Sequence, residues 1–159
     1  MRIIVMSDTH GNYPQALKAC QQAEPFDLVI HLGDGGDDVD VLSHCLDREV
    51  IHVAGNCDHG SKAPRELIRE CAGKRLLLLH GDQYRVKRGL QDLERHASAL
   101  GVDAVLFGHT HCAAVVPLSG MLFVNPGTLI KTGSANTFAI LEIGPSGIDA
   151  SLHEIDPSL

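Results

Sequence analysis

Five times in this 159-residue chain a short apolar run stops at a tight turn carrying a side chain able to bind a metal. The runs are Met1 to Ser7, Asp27 to Leu32, Glu49 to Ala54, Arg75 to Leu79 and Asp103 to Phe107. Their turns carry Asp8 with His10, then Asp34, Asn56 and His80, and finally His109 with His111. Runs that are continuously apolar read as strands buried on both faces, the pattern of parallel strands covered by helices. In open α/β sheets, ligands gather at the carboxyl ends of the strands. If these strands are neighbours, two carboxylates, one amide and four imidazoles converge at one end of the fold.

Gly108-His109-Thr110-His111 is the most specific of the five turns. Residues two apart on an extended backbone point the same way, so both imidazoles can face one centre. Each of the other turns has an ordinary reading by itself. Asp8 and His10 could be a helix-cap pair, Gly33-Asp34 and Gly55-Asn56 common turns, and His80 a hydrogen-bonded strand-end histidine. Their order and shared position are far more specific than any one of them. Seven donors are too many for one zinc or magnesium, but suit two metals that share a carboxylate. Mixed imidazole and oxygen donors favour Mn, Fe, Co, Ni or Zn over Ca or Mg alone. The lack of cysteine among them argues against a structural zinc site.

The remaining chain supplies the scaffold. A helix is expected from about Asn12 and Pro14 to Pro25, a short one from Asp38 to Asp47, and an amphipathic one from Lys87 to Leu100 with Gly101 as its C-terminal cap. Glu66 to Leu79 reads as a hairpin turning at Ala72-Gly73-Lys74. Ala113 to Leu118, Met121 to Val124, Thr137 to Ile143 and Ile148 to Glu154 read as further strands. Helices alternate with strands first and hairpins dominate later. This predicts an α/β fold: a four-layer α-β-β-α sandwich of two mixed sheets flanked by helices, as a single domain over 1–159.

Composition narrows the partners. The net charge is −7, with no block of Lys or Arg, so no nucleic-acid or membrane partner is expected. No signal peptide or membrane-spanning run is apparent, and the five cysteines lack CxxC spacing. This predicts a cytoplasmic protein in which Cys20, Cys45 and Cys71 are buried thiols.

Asp8-x-His10, Gly33-Asp34, Gly55-Asn56-Cys57-Asp58, His80-Gly81 and Gly108-His109-x-His111 occur in that order. With them, the chain resembles the calcineurin-like metallophosphoesterases, and among them the minimal bacterial and archaeal phosphodiesterases. The likeness runs from Asp8 to the turn Asn125-Pro126-Gly127-Thr128. It implies two divalent metals, Mn first among the candidates. One would be held by Asp8, His10, Asp34 and His111, the other by Asp34, Asn56, His80 and His109, with Asp34 bridging. It implies hydrolysis of a small phosphoric diester by a hydroxide between the metals, with Asn56 also touching the phosphate. Relatives of this kind suggest a homo-oligomer. Two alternatives stay open: a metal-dependent phosphomonoesterase or nucleotidase, and a non-catalytic protein-binding scaffold like the retromer subunit of this fold. The full set of seven donors weighs against the scaffold.

Two positions depart from the pattern of relatives. Many phosphomonoesterases carry histidine directly after the asparagine, where this chain has Cys57. A neutral thiol is a poor general acid, so diesters and aryl esters are expected to be favoured over alkyl monoesters. Where minimal relatives often read His-Gly-His, this chain has His80-Gly81-Asp82. Asp37 and Asp58 are candidates for support of the site or its rim. His31 and His52 are expected to be packed or hydrogen-bonded. His44, His59, His96 and His153 are expected at the surface, Cys112 as a packed thiol, and Arg65 and Lys131 as surface charges. The Asn125-Pro126-Gly127-Thr128 turn is read as structural, packed behind the histidine strand.

Overall fold

The computed structural model describes residues 1–132 and 135–158. Among the described residues, ten strands and three α-helices follow one another in chain order. They are β1 (Arg2–Met6), α1 (Tyr13–Ala23), β2 (Leu28–His31), α2 (Asp38–Cys45), β3 (Glu49–His52), β4 (Glu66–Cys71) and β5 (Lys74–Leu79). Then come α3 (Gln91–Leu100), β6 (Ala104–Phe107), β7 (Ala114–Leu118), β8 (Met121–Asn125), β9 (Thr137–Gly144) and β10 (Gly147–Glu154).

The strands form two five-stranded mixed sheets, ordered β10-β9-β1-β2-β3 and β4-β5-β6-β8-β7. Within the first, β1, β2 and β3 are parallel and in step, with Met6 opposite His31 and His31 opposite His52. Within the second, β5, β6 and β8 are parallel, with Leu79 opposite Phe107. The turns that leave these parallel strands therefore start at matching heights.

Alternation of side chains along the strands builds three apolar layers. Ile3, Val5, Leu28 and Ile30 meet Leu76, Leu78, Ala104 and Leu106 between the sheets. Ile4, Met6 and Val29 face the other way, onto Ala16, Ala19 and Cys20 of α1 and Leu42 of α2. Leu77, Leu79, Val105 and Phe107 face Leu93 and Ala97 of α3. Strands β1, β2, β5 and β6 read as continuous apolar runs because both of their faces are covered. Each large side chain buried in this way contributes roughly 1.5–3 kcal/mol. The α-β-β-α sandwich expected from the sequence is the observed fold.

Local differences have local causes. The third helix starts at Gln91 rather than Lys87. Gly89 has φ 138° and Arg85 has φ 53°, so the chain makes two short 3₁₀ turns, Asp82–Tyr84 and Val86–Arg88, before the helix. Asn12 precedes α1 but does not cap it; its amide donates to Leu129 O at 2.6 Å. Gly101 does end α3, with φ 63° and its N–H on Ala97 O and Ser98 O. Cys20 and Cys71 are buried as expected, whereas Cys45 and Cys112 are exposed. Both lie where the chain leaves regular structure, at the last turn of α2 and just after His111. No helix of the described residues is long and apolar enough to cross a membrane.

Candidate metal centre

The ends of β1, β2 and β3 in one sheet meet the ends of β5 and β6 in the other. Asp8, Asp34 and Asn56 come from the first sheet, and His80, His109 and His111 from the second. Asp8, Asp34 and His80 are buried, while His10, Asn56 and His111 are exposed and His109 is half-buried. The carboxylates and His80 form the floor, and His10 and His111 the open wall.

The backbone is unusual where these residues sit. Asp8, His10, Asp34, His109 and His111 all have positive φ, between 45° and 67°. Non-glycine residues seldom adopt this region, and each instance costs of order 1–3 kcal/mol. Asp and His tolerate it better than most residues. Hydrogen bonds hold the strained turns: Asp8 N to Gly33 O at 3.0 Å, His10 N to Asp34 O at 3.1 Å, and Gly108 N to His80 O at 2.9 Å. Close approach requires glycine at two of the turns. A Cβ on Gly108 would stand 2.0 Å from Ser7 Oγ, and one on Gly55 would stand 2.0 Å from Asp34 Oδ1.

The donors lie around the two buried carboxylates in two overlapping groups, one about His10 and His111 and one about His80, and Asp8 and Asp34 each reach into both. In the first, His111 Nε2 lies 3.0 Å from Asp8 Oδ1. His10 Nε2 lies 3.8 Å from both Asp8 Oδ1 and Asp34 Oδ2. In the second, His80 Nε2 lies 3.4 Å from Asp34 Oδ2, 3.1 Å from Asn56 Oδ1 and 3.2 Å from His109 Nδ1. Nitrogen and oxygen donors about 2.0–2.2 Å from a common ion stand about 3.0–3.5 Å from one another. The second group has that spacing throughout, and in the first His111 has it with Asp8 while His10 stands wider, at 3.8 Å. His80 Nδ1 donates to Leu32 O at 2.8 Å, which fixes the ring and directs Nε2 toward the centre. His80 Nε2, with His109 Nδ1 and Asn56 Oδ1 at 3.2 and 3.1 Å from it, offers a set of atoms that can ligate a cation.

The electrostatics agree. Burial opposes charge on Asp34, yet the hydrogen bond from His80 and the Cys57 amide hold its carboxyl well below the usual carboxylate range. Burial also opposes charge on His80, but Asp34 and the Asp8 charge raise it above an ordinary histidine. Burial and the positive charge of Lys87 lower His109. Two buried carboxylates thus attract positive charge to the space between the imidazoles.

Several residues hold the donors from behind. Asp8 Oδ2 accepts from Ser7 Oγ at 2.6 Å and from His109 N at 3.1 Å. Asp58 accepts three backbone N–H groups, from Asp34, Gly36 and Gly55, each at 2.8 Å. It thereby joins the Asp34 turn to the Asn56 turn. Asp37 is exposed at the start of α2 and makes no side-chain cap bond. Its neighbour Asp38 is buried and accepts from Gly11 N at 2.8 Å. No pattern in the sequence singled out Asp38. Cys57 lies at the centre with its N–H on Asp34 Oδ1 at 2.8 Å. Its Sγ accepts from Asn56 Nδ2 at 3.2 Å, and partial desolvation and the Asp34 carboxylate push the thiol up.

The Asn125-Pro126-Gly127-Thr128 turn does more than pack behind the histidine strand. Asn125 Nδ2 donates to Gly108 O and Thr110 Oγ1, both at 3.0 Å, and Thr128 Oγ1 donates to Asp8 O at 3.0 Å. His31 is packed, as expected. Its Nδ1 accepts from Gly33 N and its Nε2 meets Thr9 Oγ1, both at 3.2 Å. Burial lowers its pKa to about 4. His52 is half-buried, and His44 and His59 are exposed. His96 and His153 are more engaged than expected: His96 stacks on Tyr84 and meets Glu66 at 2.9 Å, and His153 stacks on Phe138. Arg65, expected as a surface charge, has its guanidinium paired with Asp82 at 2.6 Å.

Comparison with known proteins agrees with this geometry. Residues 1–145 match the model of the calcineurin-like phosphoesterase superfamily domain. The chain belongs to that superfamily. It is 31% identical to the probable metallophosphoesterase YsnB of Bacillus subtilis over 147 residues, covering 90% of this chain and 85% of YsnB. A solved Streptococcus pneumoniae protein, described as a conserved uncharacterized protein and predicted phosphoesterase, superimposes with TM-score 0.82 at 26% identity. The alignment covers 99% of this chain and 94% of that one. An archaeal phosphodiesterase has the same fold, with TM-score 0.77 and 23% identity over 96% of this chain and 100% of that one. Vps29 proteins also share the fold, at 16% to 21% identity.

Proposed function

We propose that this chain is a phosphodiesterase that works with two divalent cations. Asp8, His10, Asp34 and His111 would hold one, and Asp34, Asn56, His80 and His109 the other, with Asp34 shared. The observation that carries this reading is the pair of overlapping donor groups around Asp8 and Asp34, with His111 Nε2 3.0 Å from Asp8 Oδ1 and His80 Nε2 3.4 Å from Asp34 Oδ2. Mixed imidazole, carboxylate and amide donors favour Mn, with Ni, Co, Fe or Zn as further occupants. Two cations held this way acidify water and offset charge on phosphoryl oxygens.

The protein's own residues do the positioning. The buried carboxylates of Asp8 and Asp34 fix the centre, and His80 is turned toward it by Leu32 O. With Asn56 Oδ1 directed at His80 and one Nδ2 hydrogen on Cys57 Sγ, the second Nδ2 hydrogen is left to donate to a phosphoryl oxygen. The open side, lined by His10, Asp34, Gly36, Asp37, Cys57 and Asp58, encloses about 290 Å³. A small ester fits there. Cys57 stands beside Asn56, and a neutral thiol gives little help to a poor leaving group. Diesters with acidic leaving groups are therefore the favoured class.

The test is metal content and hydrolysis on the same sample, before and after chelation and re-addition of Mn²⁺. About two metals per chain are expected, with hydrolysis of bis-p-nitrophenyl phosphate lost and regained with them, and lower activity on p-nitrophenyl phosphate. Stoichiometric metal without hydrolysis of either ester would point instead to a binding role for the fold. No metal binding at all would overturn the reading.

A further inference from the structure

Arg65 lies outside both donor groups, yet it connects them. It immediately precedes β4, an edge strand of the second sheet. Its Nη1 donates to the carbonyl of Gly55, which follows β3 at the edge of the first sheet and precedes Asn56. Its Nη2 donates to both oxygens of Asp82, at 2.7 and 2.6 Å, two residues beyond His80. One planar guanidinium therefore ties the Asn56 turn of one sheet to the His80 turn of the other. Asn56 Oδ1 and His80 Nε2, the donors those turns present, are 3.1 Å apart. The backbone adds one more tie, from Ala54 N to Pro64 O at 2.8 Å.

We propose that Arg65 and Asp82 are positioning residues for the Asn56–His80 half of the centre. The inference rests on the two-cation reading above. Asn56 is exposed and its turn is the last of the first sheet, with no further strand beside it. Something must fix how far that turn stands from His80. The fork of arginine can hold a carbonyl and a carboxylate at once in fixed directions, which a lysine ammonium cannot do with the same geometry. Both side chains are partly exposed, at 36% for Arg65 and 22% for Asp82, so the pair acts through geometry more than through net stability. No contact is shown from Arg65 to Asp8, His10 or His111. The effect belongs to one half of the centre.

Arg65→Lys and Asp82→Asn test this, each conservative enough to keep the fold. Two measurements are made on each full-length variant. The first is backbone hydrogen exchange of Gly55 and Cys57 in metal-free protein, whose amides bond Asp58 and Asp34 at 2.8 Å. The second is stepwise Mn²⁺ binding to metal-free protein. Exchange at these amides is expected to speed up in both variants. The cation step that Asn56→Ala abolishes is expected to weaken by about 10- to 100-fold, while the other step stays within about twofold. Unchanged exchange at Gly55 and Cys57 would overturn the proposal, whatever the metal content. Equal weakening of both cation steps would overturn its restriction to one half. A wild-type protein that binds a single cation would overturn the two-cation reading, and the exchange rates would still decide whether the pair positions the turn.

Discussion

Asp34 Oδ2 stands 3.4 Å from His80 Nε2, although the two residues leave strands of different sheets. Asp34 also accepts the Cys57 amide at 2.8 Å and lies 3.8 Å from His10. In the proposed two-cation centre it is the shared ligand. Removing its charge should therefore disable the whole centre, not one half.

Asp34→Asn is expected to lower diesterase kcat/KM on the order of 100-fold or more, equivalent to ~2.7 kcal/mol of transition-state stabilisation. The bound-metal count should fall with it. Parallel measurement of metal content and rate on wild type and variant checks this. Full activity with a full metal complement would contradict the shared role of Asp34.

Asp58→Ala removes the acceptor for three backbone N–H groups, each at 2.8 Å. Leaving such donors unpaired costs about 1–3 kcal/mol for those that water cannot reach. Metal affinity should drop by about 10- to 100-fold because the Asp34 and Asn56 turns separate. The urea midpoint and Mn²⁺ titration of the same variant measure both effects. Asp37→Ala, at an exposed side chain, is the control and should change stability by less than about 0.5 kcal/mol.

Cys57→His is expected to raise monoester hydrolysis relative to diester hydrolysis by about tenfold or more, since imidazolium protonates a leaving oxygen where a thiol does not. Rates on p-nitrophenyl phosphate and its bis-ester, plus one alkyl monoester, give the ratio. An unchanged ratio would remove Cys57 from the account of specificity.

His31 predicts a pH dependence of stability. Burial lowers its folded-state pKa to about 4, below the unfolded value of 6.5. Between these values the unfolded chain binds the proton and the folded one does not. Stability is thus fully present above about pH 6.5, falls as the pH drops toward 4, and loses at most about 3 kcal/mol from this group. Urea unfolding of metal-free wild type and His31→Asn at pH 7.5, 5.5 and 4.5 should show a shallower decline in the variant. Parallel curves would exclude His31 as a source.

Strands β1, β2, β5 and β6 were legible because they are covered on both faces, so their apolar runs have no gaps. The seven donor candidates were legible because they sit in turns directly after apolar runs. The start of α3 was not, since Lys87 and Arg88 continue a helical pattern that Gly89 and the left-handed Arg85 break. Cys45 and Cys112 show the same limit, because thiol burial depends on what packs over a chain end. The support given by Asn125 and Thr128 was only half visible: the turn could be recognised, but not the carbonyls of Gly108 and Asp8 that it reaches.

The sequence by itself determined the order of strands and helices, the residues at the strand ends, and the superfamily they define. Periodicity and turn chemistry act over a few neighbours, and they are written locally. Only the tertiary structure decided that Asp8 and Asp34 of one sheet both stand within 4 Å of His80 Nε2 of the other, at 3.9 and 3.4 Å. It also decided that Asp58 spends its carboxylate on three amides, and that Arg65 and Asp82 span the sheets. Those relationships join residues far apart in the chain, as with the 48 residues between His80 and Leu32. Strand register and sheet-on-sheet packing set them, and no local pattern encodes either distance.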